Sequence, residues 1–391
     1  MKNYLFTSES VSEGHPDKVC DQISDAILDA HLSIDPESRV AAECMISPKG
    51  VVVSGEITSK ANVDICAIVK DTIRDIGYNA SNGFDVDSCD VFNFLVEQSS
   101  DISQGVDEGQ GLHRSQGAGD QGIMFGYACN QTKSYMPLPI HLAHGLMRDL
   151  TMLRKKDKVS FLRPDAKSQV TVEYENNKPK RVDAVVVSTQ HDPSITHKNL
   201  ETFIINELIY KSLPKHLIDK HTRFFINPTG RFVVGGPAAD AGLTGRKIIV
   251  DTYGGWSRHG GGAFSGKDPS KVDRSAAYMA RFIAKNLVAA GIVNELELQL
   301  SYAIGVAEPV GVFVQSPDLV GRDYHRVSQL IKDVFDLTPA GIISFLDLKR
   351  PIYQASAALG HYGRSDVDLP WEALTMQNEL KQFSKGTVFS V

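Results

Sequence analysis

The sequence lacks the features that mark several large classes of protein. Its five cysteines are widely spaced and form no Cys-x-x-Cys pair, so neither a zinc ribbon nor a disulfide framework is expected. No uninterrupted run reaches the roughly 18 apolar residues that span a bilayer, and the N-terminus has no apolar leader. The formal net charge of −6 argues against nucleic-acid binding, which needs a concentrated excess of Lys and Arg. We therefore expect a cytoplasmic protein that binds neither membranes nor nucleic acid.

Helices and strand pairs recur in the same order three times along the 391 residues. Polar and apolar residues alternate clearly over 168–174, which is typical of a half-exposed strand. The repeated order predicts an α+β fold of three similar subdomains, each an antiparallel-rich sheet covered on one face by helices. The predicted elements are helix 16–32, strands 40–46 and 51–57, and helix 63–76; helix 140–154, strands 169–174 and 181–189, and helix 198–210; the helix after Asp268, strands 297–307 and 310–315, and helix 325–335.

The most informative stretch is the glycine-rich segment 259–274. Its glycines let the main chain approach an anion closely, and Lys267 and Lys271 add positive charge. Asp268 and Asp273 are available for hard cations. This combination predicts a site for a metal-bound polyphosphate, and the alternative is an ordinary surface turn before a charged helix start.

The same segment is expected to open a helix. Pro269 suits a first helical position, and 270–290 carries an apolar face at helical spacing. Residues 261–267 match the first part of a P-loop, but Asp268 stands where a Ser or Thr hydroxyl would bind magnesium. A true P-loop is therefore not predicted.

Two other motifs are ambiguous from the residues alone. The Gly-x-Gly-x-x-Gly pattern at 117–122 lacks a strand before it and a helix after it, since 123–128 is expected to be a strand, so a dinucleotide site is rejected. His15 and Asp17 precede the first helix beside a glycine. They would suit a leaving-group donor next to a metal ligand, although helix capping is the favoured interpretation.

Acidic and histidine residues at helical spacing are interpreted as structural. Asp21, Asp25 and Asp29 repeat every four residues, which favours a solvated or interface face of the first helix. His141 and His144 lie on one predicted helix with no evident third ligand, so no metal site is assigned to them.

Taken together, segments along the chain closely resemble the methionine adenosyltransferase family, also called S-adenosylmethionine synthetases. The likeness runs from about residue 4 to about residue 371, and several blocks in the right order are more specific than any single motif. The blocks are 6–18, 117–122, 163–167, 226–232, 242–247, 260–268 and 302–307.

The resemblance implies three subdomains around a pseudo-threefold axis and a homodimer or homotetramer with active sites between subunits. The polar segment after Gln98, which by itself reads as a linker, a disordered loop or a lid, is then expected to be an active-site lid. The expected boundaries are 1–110 for the N-terminal subdomain, with the lid at about 98–116, then 117–232 and 233–391, and the resemblance allows the subdomains to interleave.

The implied reaction joins ATP and L-methionine. The methionine sulfur attacks C5′ of ATP and expels tripolyphosphate, which is hydrolysed to pyrophosphate and phosphate. The implied cofactors are a pair of Mg²⁺ ions per active site and K⁺. Two alternatives use similar residues: an ATP-dependent phosphotransferase, which would leave ADP, and a nucleotide-binding regulator without catalysis.

The resemblance also assigns site residues. The implied catalytic residues are His15, Lys167, Arg246, Lys267 and Lys271. Those implied for ATP are His15, Asp120, Asp165, Ala166, Lys167, Arg231, Phe232, Asp240, Arg246, Lys247, Ala263 and Lys267. Those implied for methionine are Glu56, Gln98, Asp240 and Lys271, with Asp17 and Asp273 for magnesium and Glu43 for potassium. The chain departs from the family at Cys44, where threonine is common, and over 108–116 of the lid.

Overall fold

Three β-sheets form the framework on which the helices pack. The computed structural model describes residues 3–97, 116–156, 159–321 and 323–386. Its strands, in chain order, are β1 (Asn3–Val11), β2 (Arg39–Ser47), β3 (Gly50–Thr58), β4 (Asp90–Val96), β5 (Gly122–Cys129), β6 (Leu162–Glu175), β7 (Lys178–His191), β8 (Arg223–Ile226), β9 (Gly242–Leu243), β10 (Glu295–Tyr302) and β11 (Gly311–Gln315).

The helices follow the predicted order, with small differences at their ends. They are α1 (Pro16–Ile34), α2 (Ile65–Ile76), α3 (Leu138–Lys155), α4 (His197–Phe203, which continues through a π-helical turn, Ile204–Ile209, to Tyr210–Ser212), α5 (Ile248–Asp251), α6 (Val272–Ala289), α7 (Asp323–Val334), α8 (Pro339–Phe345) and α9 (Gln377–Gly386). The Asp64 side chain caps the first turn of α2, and Gly77, at φ 107°, ends it. The expected start of α6 at Pro269 was wrong, because the helix begins at Val272.

Each sheet contains one edge strand from a different part of the chain. The strand orders are β1-β6-β7-β8, β11-β10-β5 and β4-β3-β2-β9, so β1, β5 and β9 complete sheets whose other strands lie elsewhere in the sequence. All pairs are antiparallel except β3 with β4 and β7 with β8. The predicted α+β fold of three similar sheet-and-helix subdomains is confirmed.

The core lies between the sheets and their helices, with α1 and α6 almost completely buried. β5 packs tightly on α6: a Cβ on Gly126 would lie 2.1 Å from the backbone of Ala280, so only glycine fits there. A second apolar cluster joins α3 to β6 and β7. Among the described residues, no helix is both long enough and apolar enough to cross a membrane.

Two of the acidic residues of α1, predicted to form a solvated or interface face, instead lie inside the protein. Asp21 and Asp25 are completely buried. Asp25 forms a two-pronged ion pair with Arg274 of α6, at 2.6 and 2.8 Å, while Asp21 pairs with Lys18 at 2.9 Å. Their four-residue spacing reflects the side of α1 that packs inside the protein, because buried charges are tolerated only when they are paired.

The two histidines of α3 form hydrogen bonds with serine hydroxyls. His144 is buried, and its Nδ1 lies 2.8 Å from the Ser10 hydroxyl. His141 Nδ1 lies 3.2 Å from the Ser134 hydroxyl. Neither ring belongs to a potential metal-binding group of the described residues.

Candidate active site

His15 and Asp17 lie where the loop after β1 enters α1. Because β1 pairs with β6, this loop runs beside the strand that carries Lys167. The Ser12 amide donates to the Ala166 carbonyl oxygen at 2.9 Å, and the Ala166 amide donates to the Ser12 hydroxyl at 2.8 Å. Two segments more than 140 residues apart in sequence thus become neighbours.

Asp17 is held as a carboxylate by two donors from the segment around β9. Its Oδ1 accepts a hydrogen bond from the Leu243 amide at 3.0 Å, and its Oδ2 pairs with the Lys247 ammonium. Burial raises the pKa of Asp17, but the bonds from Lys247 and Leu243 outweigh burial and hold that pKa below its usual value. Asp17 therefore stays ionised at neutral pH.

His15 is held as a neutral imidazole. Burial is the largest cause that lowers its pKa well below the usual value, and the positive charges of Lys247 and Lys167 lower it further. The Asp17 amide donates to His15 Nδ1 at 3.2 Å. Since Nδ1 accepts, the neutral ring carries its proton on Nε2, where it can donate to a ligand.

Asp165 has one oxygen bonded and one free. Its Oδ2 accepts a hydrogen bond from the Gly236 amide at 2.8 Å, whereas its buried Oδ1 has no hydrogen-bond partner in the described residues. Burial raises the pKa of Asp165 to about 6, and nearby Asp240 contributes in the same direction. A buried acceptor without a partner is unusual and suits a donor from a ligand. We call His15, Asp17, Asp165, Lys167, Asp240 and Lys247 the Asp17 group.

The glycine-rich loop is fixed to the edge of β2. The Ala42 amide donates to the Gly266 carbonyl oxygen at 3.0 Å, and the Gly266 amide donates to the buried Asp25 at 2.8 Å. Gly266 has φ 81°, and a Cβ there would lie 1.9 Å from the Ala42 oxygen, so this turn requires glycine. Lys267 projects beyond it and pairs with Asp273 at 2.6 Å. We call Ala263, Lys267 and Asp273 the Lys267 group.

The two groups meet through a glycine contact. A Cβ on Gly245 would lie only 2.6 Å from the Ala263 side chain, and Gly245 has φ 76°. Its amide donates to the buried Asp21 at 2.8 Å, which holds the segment after β9 in place. The segment that carries Lys247 therefore lies directly on the glycine-rich loop, so lysines and carboxylates from distant parts of the sequence border one surface.

Asp268 differs from the sequence-based expectation. Asp268 is 1% exposed and accepts hydrogen bonds from the Val40 amide at 2.7 Å and the Ser270 amide at 2.9 Å. It also pairs with Lys271 at 2.5 Å. Its acceptors are thus used inside the protein, and it is a structural anchor rather than an available metal ligand. Lys271, just before α6, is largely buried beside Asp268, with its side chain 20% exposed.

Four residues expected at the site are exposed. Arg246 and Lys167 are exposed, and neither pairs with another described residue. Glu43 and Glu56 are exposed on β2 and β3, and Glu56 lies opposite Ala41, which bridges to Lys267.

Asp120, Arg231 and Phe232 are also among the described residues. Asp120 is exposed and accepts a hydrogen bond from the adjacent Gln121 amide. Arg231 is exposed next to Phe232, whose backbone pairs with His191 at 2.9 and 3.1 Å. Gln98 and most of the expected lid, 98–115, lie outside the described residues.

Sequence reasoning missed the residues that hold these side chains in place. The Leu243 and Gly236 amides fix Asp17 and Asp165, and backbone donors leave no side-chain signature in a sequence. Asp25 anchors the glycine-rich loop through Gly266. Its four-residue spacing was visible, but the spacing alone could not reveal that its partner is Arg274.

Comparison with known proteins identifies the family. Models of the N-terminal, central and C-terminal domains of S-adenosylmethionine synthetase match residues 3–100, 115–232 and 234–373. The chain belongs to the S-adenosylmethionine synthetase family. It is 56% identical over 387 residues to the S-adenosylmethionine synthase of Clostridium botulinum (strain Alaska E43 / Type E3), covering 97% of this chain and 99% of that protein. It is 57% identical over 385 residues to that of Clostridium tetani (strain Massachusetts / E88), covering 96% and 98%.

In this S-adenosylmethionine synthetase family member, Asp273 of the Lys267 group lines a small cavity. This cavity, also lined by His259, Gly262 and Phe264, has a volume of only ≈ 10 Å³. Such a space cannot enclose a nucleotide, since ligand pockets usually measure about 300–1,000 Å³. This cavity by itself is therefore too small to be the nucleotide site.

Proposed function

We propose that this protein makes S-adenosylmethionine from ATP and L-methionine by attack of the methionine sulfur on C5′ of ATP, with release of tripolyphosphate and its hydrolysis to pyrophosphate and phosphate. Membership of the family and the name shared by the two clostridial relatives support the product. The observation that carries the proposal is the contact of Gly245 with Ala263, which joins the Asp17 group to the Lys267 group.

Arg246 and the lysines of the joined groups would bind the polyphosphate. The leaving group carries about four negative charges, so cations fixed in advance near it stabilise the transition state. Arg246 is exposed and has no partner among the described residues, which leaves all its donors available to phosphate oxygens. Lys247 and Lys267 each have a carboxylate partner and are held in fixed positions.

His15 would donate a hydrogen bond to the departing oxygen at C5′. Its neutral state and its proton on Nε2 both favour this role, because an imidazole that accepts at Nδ1 can only donate from the other nitrogen. The donor would strengthen its interaction as negative charge develops on that oxygen.

The other expected residues would bind the nucleoside and methionine. Asp165, with its unpaired buried Oδ1, and Phe232 would contact the adenosine. Asp120, Ala166, Arg231 and Ala263 would complete that part of the site. Glu56, Gln98 and Asp240 would bind the methionine ammonium group, and Lys271 its carboxylate.

Asp17 and Asp273 suit Mg²⁺ that is bound partly by the protein and partly by substrate phosphates. No group of three or more His, Cys, Asp or Glu side chains suited to a metal occurs among the residues that the structure describes. Asp17 and Asp273 are instead separate single carboxylates, and Mg²⁺ commonly takes one or two carboxylates together with substrate phosphates. These two residues would hold Mg²⁺, and Glu43 K⁺. When bound, the ions would neutralise charge on the leaving polyphosphate.

We also propose that the active form is a homodimer or a homotetramer, in which a second copy contributes to the active site. Phe92, Phe94 and Val96 project from β4 and are 50%, 61% and 61% exposed, which suits a covered apolar face. Light scattering during size-exclusion chromatography would test this, and a monomer with full activity would contradict it.

The reaction is tested by its products. The protein would be incubated with ATP, L-methionine, Mg²⁺ and K⁺, with phosphorus NMR for the phosphates and mass spectrometry for the sulfonium product. We expect pyrophosphate, phosphate and S-adenosylmethionine in equal amounts. ADP as the major product would instead indicate a phosphotransferase, and ATP binding without turnover would indicate a regulator.

A further inference from the structure

A cavity of about 620 Å³ lies on the central subdomain, away from the residues proposed for the reaction. It opens between the first turns of α3, the turn that joins β6 to β7, and the segment 212–217. Leu138, Leu142 and Leu217 are buried and line it, with Pro179 and Pro214. Its volume is within the range of sites that bind small molecules.

The charged groups that line this cavity are all of one sign. Lys133 and Lys178 are both exposed, and no lining residue is acidic. Neither lysine forms an ion pair with another residue in the described part of the chain. The carboxylate of Glu175, in the same hairpin, pairs with Lys180 at 3.4 Å rather than with either lysine of the cavity. Both ammonium groups are available to an anion.

Two further features favour a negatively charged ligand. The Ser212 hydroxyl oxygen is buried at the cavity and has no hydrogen-bond partner among the described residues, although buried hydroxyls are normally bonded. The N-terminal turns of α3 also line the cavity, and the helix dipole places partial positive charge there.

We propose that this cavity binds a small amphipathic carboxylic acid. Its apolar body would lie on Leu138, Leu142 and Leu217, and its carboxylate would interact with Lys133 and Lys178. The Ser212 hydroxyl would donate a third hydrogen bond. An apolar pocket with a few convergent polar groups is the usual design of such sites.

Calorimetric titration of the full-length protein with naphthalene-2-carboxylate tests the proposal. We expect saturable binding with one site per chain. The neutral analogue, naphthalene-2-carboxamide, is expected to bind at least about tenfold more weakly, because it cannot use the lysine charges. The double variant Lys133→Gln/Lys178→Gln is expected to lose at least about tenfold in affinity for the acid. Both side chains are exposed, so circular dichroism should show an unchanged fold.

A matched control has the same change of net charge away from the cavity. Lys198→Gln/Lys220→Gln also replaces two exposed lysines of the central subdomain, and neither lines the cavity. We expect this variant to bind the acid as the unmodified protein does. The proposal is overturned by an absence of saturable binding, by equal affinity for the carboxamide, or by equal loss in the two double variants.

Discussion

The Tyr78 hydroxyl donates a hydrogen bond to the Gly14 carbonyl oxygen, directly before His15. Tyr78 is 2% exposed and also packs on Gly236: a Cβ there would lie 2.1 Å from the hydroxyl oxygen. The Gly236 amide in turn holds Asp165. The Tyr78 side chain thus contacts Gly14, which precedes His15, and Gly236, whose amide holds Asp165.

We expect Tyr78→Phe to lower kcat by about tenfold or more, since small displacements of a catalytic group are costly. The free energy of unfolding should fall by about 1–3 kcal/mol because a buried carbonyl loses its donor. Steady-state kinetics and chemical denaturation measure the two effects. Tyr302→Phe is the matched control, as its hydroxyl also donates to a buried carbonyl, that of Leu337, at 2.6 Å. An equal fall of kcat in both variants would rule out a specific positioning role.

Arg246→Ala should reduce kcat/KM for ATP by about 10²–10³-fold, the typical effect of losing one fixed donor to developing charge. The melting temperature should not change, because the exposed guanidinium has no partner to leave behind among the described residues. Arg74→Ala removes an arginine whose ion pairs with Asp71 and Asp87 are on the surface, and it should leave activity intact. Full activity of Arg246→Ala would contradict the proposed role.

Lys271→Ala and Lys267→Ala should both impair synthesis but should differ in stability. The partner of Lys271 is Asp268, whose side chain is 1% exposed. Removal of Lys271 leaves this buried carboxylate without its ion-pair partner and should lower the free energy of unfolding by about 1–3 kcal/mol. The partner of Lys267 is Asp273, whose side chain is 21% exposed, so Lys267→Ala should lower the free energy of unfolding by less than about 1 kcal/mol. Denaturation curves compare the two variants. A larger loss for Lys267→Ala would be inconsistent with this ranking.

Asp25→Asn should destabilise the protein by about 3–5 kcal/mol, because it leaves the Arg274 guanidinium buried without a charged partner. The exposed pair of Arg74 and Asp71 provides the comparison, and Asp71→Asn should change the free energy of unfolding by less than about 0.5 kcal/mol. Thermal and urea unfolding measure both variants. Similar small effects would show that the buried pair contributes little.

Asp29 should make stability depend on pH. Burial raises its pKa to about 7, although the Gln354 and Tyr353 amides donate to it. The native state therefore holds this proton more tightly than the unfolded state does, so stability from this group falls as pH rises from about 4 to about 7. Asp29→Asn cannot ionise and should escape that fall.

The measurement is the difference in melting temperature between Asp29→Asn and the unmodified protein at about pH 5 and about pH 8. We expect the melting temperature of Asp29→Asn, relative to that of the unmodified protein, to be higher at about pH 8 than at about pH 5. Asp87→Asn, at an exposed position, should show no such shift. If the melting-temperature difference between Asp29→Asn and the unmodified protein is the same at both pH values, Asp29 does not have a raised pKa in the folded protein.

Local patterns predicted much of the fold. The apolar spacing of α1 and α6 and the paired strands β2 and β3 were evident because periodicity and turn residues are local in sequence. The glycine-rich loop was correctly expected before a helix, since the close approach of Gly266 to Ala42 needs the residue type that the sequence displays.

Long-range pairing could not be predicted in the same way. Asp25 was expected on a solvated or interface face, because its buried partner Arg274 lies 249 residues further along the chain. Asp268 was expected to be available to a cation because nothing near it in the sequence indicates how deeply it is buried. The amides that hold Asp17 and Asp165 come from residues whose side chains carry no chemical signal. A sequence shows which groups are present, but the partners of buried charges depend on packing.

The placement of β1, β5 and β9 decides whether the protein can be divided into pieces. Each is an edge strand in a sheet whose other strands belong to a different third of the chain. A fragment cut at a subdomain boundary would lose a strand from one sheet and carry an orphaned strand from another. Exposed sheet edges of this kind promote aggregation. The three units, although similar, are therefore expected to fold and to be produced only as one continuous chain.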